Sequence, residues 1–394
     1  MRVAISGAGI AGPTLAYWLW RSGYEPTLIE QAPQLRTGGY LIDFWGAGYA
    51  VAEQMGLALA LQNVGYAVQE LRLVDRSGRK VGGFPVEGFR RSLSGRFTSV
   101  PRGDLAALIY AAIEGNVETI FDDSIACIEQ GDSCAQVTLE RGQCRRFELV
   151  IGAGGIHSPV RALVFGPDAK FQTDIGYRVA AFEAAGYRPR DELVYVAYTE
   201  PGRMVARFAL RDDRTLFLFV YRDNNVRRPD VGGLSDTKFA LRQAFGSVGW
   251  ECPQILSQLA QADDVYFDRV SQIIMDRWSK NRVALIGDAA GCVSLLAGEG
   301  TGLAMLQAYV LAGELKAAGG DYREAFRRYE QLLRPLIEGK QRSARRFASG
   351  FAPKTSLGIR IRNQVSRLLT VPPLADWIIR HEFRDAIELP DYAM

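Results

Sequence analysis

The chain has 394 residues, of which 48% are apolar, and its 47 basic and 44 acidic side chains leave a formal charge of +3. A chain of this length can bury a large core and is too long for one compact domain, so we expect two domains. The near-neutral charge provides neither a basic footprint for nucleic acid nor an acidic tail, which predicts a small-molecule partner.

Cysteine and histidine content narrows the chemistry. The five cysteines show no C-x-x-C spacing, which predicts reduced thiols and a cytoplasmic location. Two histidines, His157 and His381, are too few to suggest a zinc site or a Ser-His-Asp triad. Strand-like residues directly after Met1 argue against a signal peptide, and no apolar run approaches the ~20 residues of a membrane span. We therefore expect no stable membrane association.

The first predicted elements are a buried strand at residues 3–5 and a helix at residues 13–21, with a glycine-rich turn between them. Gly7 permits the tight bend, Gly9 lets the backbone approach a pyrophosphate, and Gly12 allows the helix to pack closely on the strand. The phosphates would meet the N–H groups at the start of the helix. The predicted cofactor-binding residues in this turn are Gly7, Gly9, Ile10, Ala11 and Gly12.

A second strand, at residues 27–29, ends at an acidic residue. Glu30 stands 18 residues after Gly12, where a carboxylate can accept hydrogen bonds from both ribose hydroxyls of an adenosine, and Gln31 follows it. Nicotinamide and flavin dinucleotides share this pattern of strand, turn, helix and acidic residue. The N-terminal region therefore predicts a dinucleotide without choosing between the two.

The middle of the chain favours a flavin. A simple nicotinamide dehydrogenase would continue with alternating strands and helices, whereas residues 117–151 read as a run of antiparallel strands. Residues 171–275 are also rich in strands, and with strands at 71–84 they predict an antiparallel sheet over the cofactor, with an aromatic substrate between them. Four aromatic residues are candidates for the pocket wall, although the core of the sheet is the favoured position for each: Phe208, Phe217, Phe219 and Tyr221.

A second glycine-rich turn lies late in the chain. Residues 283–286 form an apolar strand that breaks at Gly287 and Asp288, and a group of glycines then precedes a helix to about Ala318. A carboxylate at the end of a central strand can bind a polyol hydroxyl, and free N–H groups at a helix start can face a partial negative charge. A flavin offers both, through its ribitol chain and through the charge at N1 and the C2 carbonyl of its reduced ring. The predicted flavin-side residues are Asp288, Gly298, Gly300, Thr301 and Gly302.

With both turns in place, the chain resembles the class A flavoprotein monooxygenases of the p-hydroxybenzoate hydroxylase fold, including tetracycline-modifying and polyketide-tailoring enzymes. The resemblance covers residues 1 to about 340 and includes three further stretches, GGYLIDFWG, VPRGDLAALI and LVIGAGGIHSPVR. It implies an extended FAD, with Glu30 on the adenosine ribose, Arg102 near the pyrophosphate and ribitol, and Asp288 on the ribitol. It also implies that Asp43 lies near the flavin chain, and Arg36 near the ring or the nicotinamide approach.

Three positions depart from the family pattern. Gly154 stands where relatives usually have Asp, and Gly291 and Leu295 stand where they often have His and Pro. The Asp missing at residue 154 is linked in the family to the handling of the cofactor and of the pyridine nucleotide. The resemblance implies that NADPH or NADH binds only transiently, as a reductant without a dedicated domain.

These observations predict an α/β fold in which two parts of the chain interleave. A Rossmann-like FAD-binding domain of the glutathione-reductase type is expected from three pieces, residues 1–70, 98–170 and 276–340. The substrate-binding antiparallel β-sheet domain is expected from residues 71–97 and 171–275. Residues 341–394 are expected to form a C-terminal helical segment, whose amphipathic part at 360–379 would pack on the main body.

The expected function is an FAD-dependent monooxygenase. NAD(P)H would reduce the flavin, O2 would add at C4a, and the resulting hydroperoxide would hydroxylate an aromatic or polyketide-like small molecule in a monomer or homodimer. A flavin reductase or oxidase on the same fold is the main alternative. A flavin-dependent halogenase would carry W-x-W-x-I-P, whereas Trp18-Leu19-Trp20 continues into Arg21. A non-enzymatic relative, similar to the prenyl-protein escort factors, would purify colourless.

Overall fold

The computed structural model describes residues 1–35, 40–222, 233–371 and 387–394, so that Arg36 and His381 lie outside the described residues. The strands, in chain order, are β1 (Arg2–Ser6), β2 (Glu25–Glu30), β3 (Leu41–Trp45), β4 (Glu70–Val74), β5 (Lys80–Pro85), β6 (Phe97–Pro101), β7 (Glu118–Phe121), β8 (Ile125–Gln130), β9 (Ala135–Leu139), β10 (Cys144–Phe147), β11 (Leu149–Gly152), β12 (Gln172–Ala185), β13 (Val194–Glu200), β14 (Arg203–Ala209), β15 (Arg214–Arg222), β16 (Tyr266–Ile273), β17 (Ser279–Lys280) and β18 (Val283–Leu285). The helices are α1 (Ala11–Arg21), α2 (Gly46–Gln54), α3 (Ala58–Val64), α4 (Glu87–Ser92), α5 (Arg102–Ala111), α6 (Pro159–Val164), α7 (Leu234–Phe245), α8 (Cys252–Gln261), α9 (Asp288–Gly291), α10 (Gly300–Ala317), α11 (Tyr322–Phe351) and α12 (Ser356–Leu368).

A six-stranded, mostly parallel sheet forms the first layer of the fold. Its strand order is β17-β18-β11-β1-β2-β7, and every neighbouring pair is parallel except β17 with β18. The central strands are apolar throughout because both faces of the sheet are covered, and residues 3–5, 149–151 and 283–285 are fully buried. Since the carboxyl ends of parallel strands meet at one edge, the turns after β1 and after β18 are brought to the same edge of the sheet.

The prediction that residues 117–151 form one run of antiparallel strands is only partly correct. Strands β8, β9 and β10 do form a three-stranded antiparallel sheet. Strand β7 instead pairs in parallel with β2, and β11 pairs in parallel with β1 and β18. A short apolar strand has the same sequence pattern in either kind of sheet, so the pattern showed that these strands exist but not which partners they take.

A seven-stranded sheet forms the second layer, in the order β16-β12-β15-β14-β13-β4-β5. It unites the strands predicted at 71–84 with those from 171–275, and its pairs are antiparallel except that β13 and β4 run in parallel. One face is covered by α7 and α8. Phe217, Phe219 and Tyr221 pack into that covered face with Phe245, and Phe208 is buried against Tyr66. All four candidate wall residues therefore belong to the core, the position that the sequence favoured.

The C-terminal part is helical in α11 and α12, whereas the described residues 387–394, which the sequence analysis also expected to be helical, form neither helix nor strand. Helix α11 is capped by the Asp321 carboxylate, which accepts hydrogen bonds from the N–H groups of Arg323 and Glu324. The helix is continuous across residue 340, where the sequence placed a boundary. Helix α12 packs on β5, where the Gly83 N–H donates to Ser366 Oγ at 2.9 Å. No helix in the described part of the chain has both the length and the apolar composition needed to cross a membrane.

Helices α2 and α10 cross at two glycines, which gives a test of their packing. A Cβ on Gly48 would overlap the Cα of Gly302 and lie 2.8 Å from the Gly302 carbonyl oxygen. We expect Gly48→Ala to lower the free energy of unfolding by ~1–3 kcal/mol, because backbone rather than a flexible side chain must move. Urea denaturation of the FAD-free protein measures this change.

The matched control for this prediction is another helical glycine. Among the described residues, no atom lies within 4 Å of the Cβ position of Gly350 in α11, apart from the helix's own backbone and its chain neighbours. Because alanine favours helix over glycine, Gly350→Ala should be neutral or stabilising by up to ~1 kcal/mol. Equal effects of the two substitutions would contradict a specific contact between α2 and α10.

Candidate functional site

Two glycines of the first turn pack directly against other backbone atoms, so that neither has room for a side chain. Gly7 has a φ of +112°, and a Cβ there would lie 2.6 Å from the Ala153 carbonyl oxygen. A Cβ on Gly12 would overlap the Gly7 carbonyl oxygen. Helix α1 starts at Ala11, two residues before the predicted start, so that Gly12 belongs to its first turn. No side chain caps this helix start, which leaves its first N–H groups available to an anion.

Glu30 ends β2 directly beside the first turn. Its carboxylate accepts hydrogen bonds from the Ala8 N–H at 2.7 Å and from the Ala32 N–H at 2.9 Å. The side chain of Gln31, the next residue, points outward and is exposed. The acidic group predicted from the spacing thus lies against the glycine-rich turn, at the same edge of the parallel sheet.

Arg102 reaches the same turn from another element. It begins α5 directly after β6, and its backbone N–H donates to the Tyr40 carbonyl oxygen at 3.1 Å. Its guanidinium lies 3.6 Å from the position that a Cβ on Gly9 would occupy. The structure therefore brings a guanidinium, whose planar donors suit phosphate oxygens, to the uncapped start of α1.

The late turn packs against the first one. Gly287 has a φ of +63°, and a Cβ there would lie 3.1 Å from the Cβ of Ala11 and 3.5 Å from that of Ala304. The Gly287 N–H donates to the buried Gln307 Oε1 at 3.1 Å, which fixes the turn to α10. The two glycine-rich turns, nearly 300 residues apart in the sequence, are in contact in the fold.

Asp288 follows Gly287 as the first residue of α9, and its side chain is partly exposed. Its Oδ1 lies 3.6 Å from the Cβ position of Gly300, and burial raises the pKa of its carboxyl while the Arg102 charge lowers it. Cys292, four residues later, is a neighbour that the sequence interpretation did not assign. Burial and the nearby Asp288 charge raise the pKa of its thiol well above the ordinary value, so the thiol is protonated at neutral pH.

The glycines after α9 surround the start of α10. Gly298 has a φ of +70°, and its Cβ position is 3.6 Å from the Trp45 ring. The helix begins at Gly300, so Gly300, Thr301 and Gly302 form its first turn instead of preceding it. The N–H groups of these first-turn residues have no acceptor within the helix, so they are available to a ligand. No side chain caps the start of α10.

Asp43 lies on β3, next to the start of α10. Its carboxylate accepts hydrogen bonds from Ser99 Oγ and, at 3.4 Å, from the Tyr195 hydroxyl. Burial raises the pKa of the Asp43 carboxyl. Together with Trp45 and Gly298, Asp43 lines a small cavity between β3 and α10. The sequence interpretation missed Ser99 and Tyr195, because both reach Asp43 from distant segments.

The middle motif contributes a buried arginine. Arg161 is fully buried, and it donates to the Ala289 carbonyl oxygen at 3.1 Å and to Asp168 Oδ1 at 2.7 Å. It thereby ties the residues around Gly154 to α9, next to Asp288. The exposed His157 imidazole lies 3.5 Å from the same Asp168 carboxylate.

Comparison with known proteins agrees with this geometry. A family described as FAD binding domain matches residues 91–331. A flavin-dependent monooxygenase from an unknown prokaryotic organism is 36% identical over 343 residues, which cover 86% of this chain and 87% of that protein. The chain belongs to the FAD-dependent monooxygenase family. A second family member, a flavin-dependent monooxygenase from Legionella longbeachae, is 31% identical over 368 residues, 93% of each chain.

A solved structure has the same fold as this chain. The crystal structure of the tetracycline destructase Tet(55) is 31% identical and has a TM-score of 0.84, over 99% of this chain and 98% of that chain. The resemblance to class A flavoprotein monooxygenases and the α/β fold expected from the sequence are thus confirmed. FAD is the cofactor.

The described residues fit this cofactor. The starts of α1 and α10 carry no side-chain cap, so each offers N–H groups to a ligand next to a glycine-rich turn. The absence of a side chain at Gly9 leaves space next to the Arg102 guanidinium, as a diphosphate requires. The partly exposed Asp288 carboxylate lies between these helix starts, where a polyol chain can donate hydrogen bonds to it.

Proposed function

We propose that this FAD-dependent monooxygenase uses NADPH or NADH and O2 to hydroxylate an aromatic or polyketide-like small molecule. The observation that carries the proposal is the contact between the two glycine-rich turns, with Arg102 and Asp288 between them. At this contact a guanidinium, a carboxylate and backbone without side chains lie close together, which supports the binding of an extended FAD.

Most of the predicted residues have a role in this proposal. Glu30 binds the adenosine ribose beside Gln31, and the turn from Gly7 to Gly12 binds the diphosphate together with Arg102. Asp288 accepts hydrogen bonds from the ribitol, and Asp43 lies below the flavin chain. The first turn of α10, Gly300 to Gly302, presents its N–H groups to the pyrimidine side of the ring, where reduction places negative charge.

Bound FAD supplies the redox chemistry, by accepting reducing equivalents and activating O2 for transfer of one oxygen atom. The chain's own residues hold the substrate and exclude water. Tyr40 and Tyr266 lie where the seven-stranded sheet meets the cofactor turns, with ring centroids 5.2 Å apart. Burial raises the pKa of both phenols, so both stay protonated at neutral pH, and Tyr266 donates to the Asp268 carboxylate at 3.2 Å.

These two rings support an aromatic substrate. The Arg102 charge acts on both phenols, and the Asp288 charge acts on the Tyr40 phenol as well. An apolar ring edge and a polar hydroxyl at the same position suit a planar, oxygen-bearing molecule better than an aliphatic chain. We also propose a cytoplasmic location and a monomer or homodimer, in keeping with the reduced state of the five cysteines.

Labelled oxygen tests the proposal. The FAD-loaded protein is incubated with NADPH or NADH, a panel of phenols and polyketides, and ¹⁸O2, and the products are analysed by mass spectrometry. We expect a product with one labelled oxygen atom and NAD(P)H consumption that rises with that substrate. NAD(P)H consumption with H2O2 release but no labelled product, across the panel, would instead support the alternative of a reductase or oxidase.

A further inference from the structure

A lysine of α11 reaches the turn that leads into α10. Lys340 Nζ lies 2.7 Å from Glu299 Oε1, and the two side chains are only 12% and 13% exposed. Glu299 is the residue before Gly300 and lines the same small cavity as Asp43 and Trp45. Removing two charges from water is costly, so a nearly buried pair at this point is not explained by stability alone.

The position of Glu299 creates an electrostatic conflict. The start of α10 carries a partial positive charge because its N–H groups are aligned and uncapped. An acidic side chain at that start opposes the positive potential that would stabilise negative charge on a reduced flavin ring. Lys340 lies within ion-pair distance of this carboxylate and offsets its charge.

We propose that Glu299 and Lys340 are positioning residues that set the reduction potential of the bound FAD. Lys340 holds the Glu299 carboxylate and offsets its field, so that the start of α10 keeps its positive potential toward the flavin. The inference rests on the proposed function, which places the flavin ring at α10. It adds to that function a control of how readily the flavin is reduced.

Two single substitutions test the proposal because they have opposite expected effects. Lys340→Met removes a positive charge near the ring, so the reduction potential should become more negative, with reduced FAD bound on the order of tenfold more weakly relative to oxidised FAD. Glu299→Gln removes a negative charge from the same place, so the potential should become more positive. The double variant should lie near the unsubstituted protein. Reductive titration of the purified holoenzyme against a reference dye, followed by flavin absorbance, measures the potential.

A second ion pair on the same helix is the control. Arg334 and Glu330 are 2.6 Å apart, with side chains 23% and 15% exposed, and Arg334 also donates to the Met275 carbonyl oxygen. Arg334→Met removes a comparable charge away from the α10 turn and should leave the potential unchanged. This control separates an effect on the flavin from a general loss of stability.

The outcomes keep this inference distinct from the proposed hydroxylation. Shifts of opposite sign support it, and Glu299→Gln alone carries the test if Lys340→Met does not fold. If FAD remains bound while both potentials stay unchanged, or shift in the same direction, the inference is overturned. Because the titration needs neither substrate nor O2, that result would leave the labelled-oxygen experiment unaffected.

Discussion

Asp288→Ala is expected to weaken FAD binding and to lower monooxygenase activity together. Its carboxylate lies next to Gly300 and within the field of Arg102, at the point where the two glycine-rich turns meet. A hydrogen bond to a charged group contributes ~1.5–3 kcal/mol, so losing the ribitol contact should weaken FAD binding roughly 10- to 100-fold. The flavin content after gel filtration and the quenching of FAD fluorescence on titration measure the loss.

Two further variants show whether the charge of Asp288 or only its shape matters. Asp288→Asn keeps an acceptor oxygen and the side-chain volume, so its loss of FAD should be smaller than that of the alanine variant. Asp264→Ala, which removes an exposed carboxylate before β16, should retain FAD fully. If Asp288→Ala is isolated with a full complement of flavin, Asp288 is not an FAD ligand.

The two cofactor turns could be predicted from sequence because each is defined by local geometry. Gly7 needs a positive φ, and Gly12 has no room for a side chain, so the spacing of the glycines records a physical requirement. Gly287 likewise has a positive φ and packs against Ala11. Apolar strands before each turn then implied a parallel sheet whose carboxyl ends meet, and the structure contains that sheet.

The partners of the site residues could not be predicted, because they depend on contacts between distant segments. Tyr195 and Ser99 reach Asp43 from positions 152 and 56 residues away. Nothing in the periodicity of either segment indicates such a contact. The same reason explains why β7 and β11 were assigned to an antiparallel run, since strand partners are chosen by the packing of the whole sheet.

Arg161 is another residue whose partners could not be predicted from the sequence, and the last prediction concerns this residue. It is the last residue of the stretch LVIGAGGIHSPVR, which contains Gly154, and the sequence analysis assigned it no role. In the fold its guanidinium is fully buried and bridges α6 to α9, with Asp168 as the carboxylate that balances its charge. A carboxylate is therefore present near this motif, although residue 154 itself is glycine.

The last prediction compares the loss of the buried Arg161 with the loss of an exposed arginine. Arg141→Met is the exposed control. Arg141 forms an ion pair with Asp122 on the surface, and their side chains are 62% and 54% exposed. Solvent screens such a pair, so its loss should change the free energy of unfolding by about 1 kcal/mol or less.

Arg161→Met is expected to lower the free energy of unfolding by ~3–5 kcal/mol, because it removes the donor to the Ala289 and Ile156 carbonyl oxygens and leaves the partly exposed Asp168 carboxylate without its guanidinium partner. Urea denaturation of the FAD-free protein measures this loss apart from any effect on the cofactor. Because Ala289 directly follows Asp288, FAD binding should weaken as well, even in variant protein that remains folded. A loss no larger than that of the surface control would mean that Arg161 does not hold α9 in place.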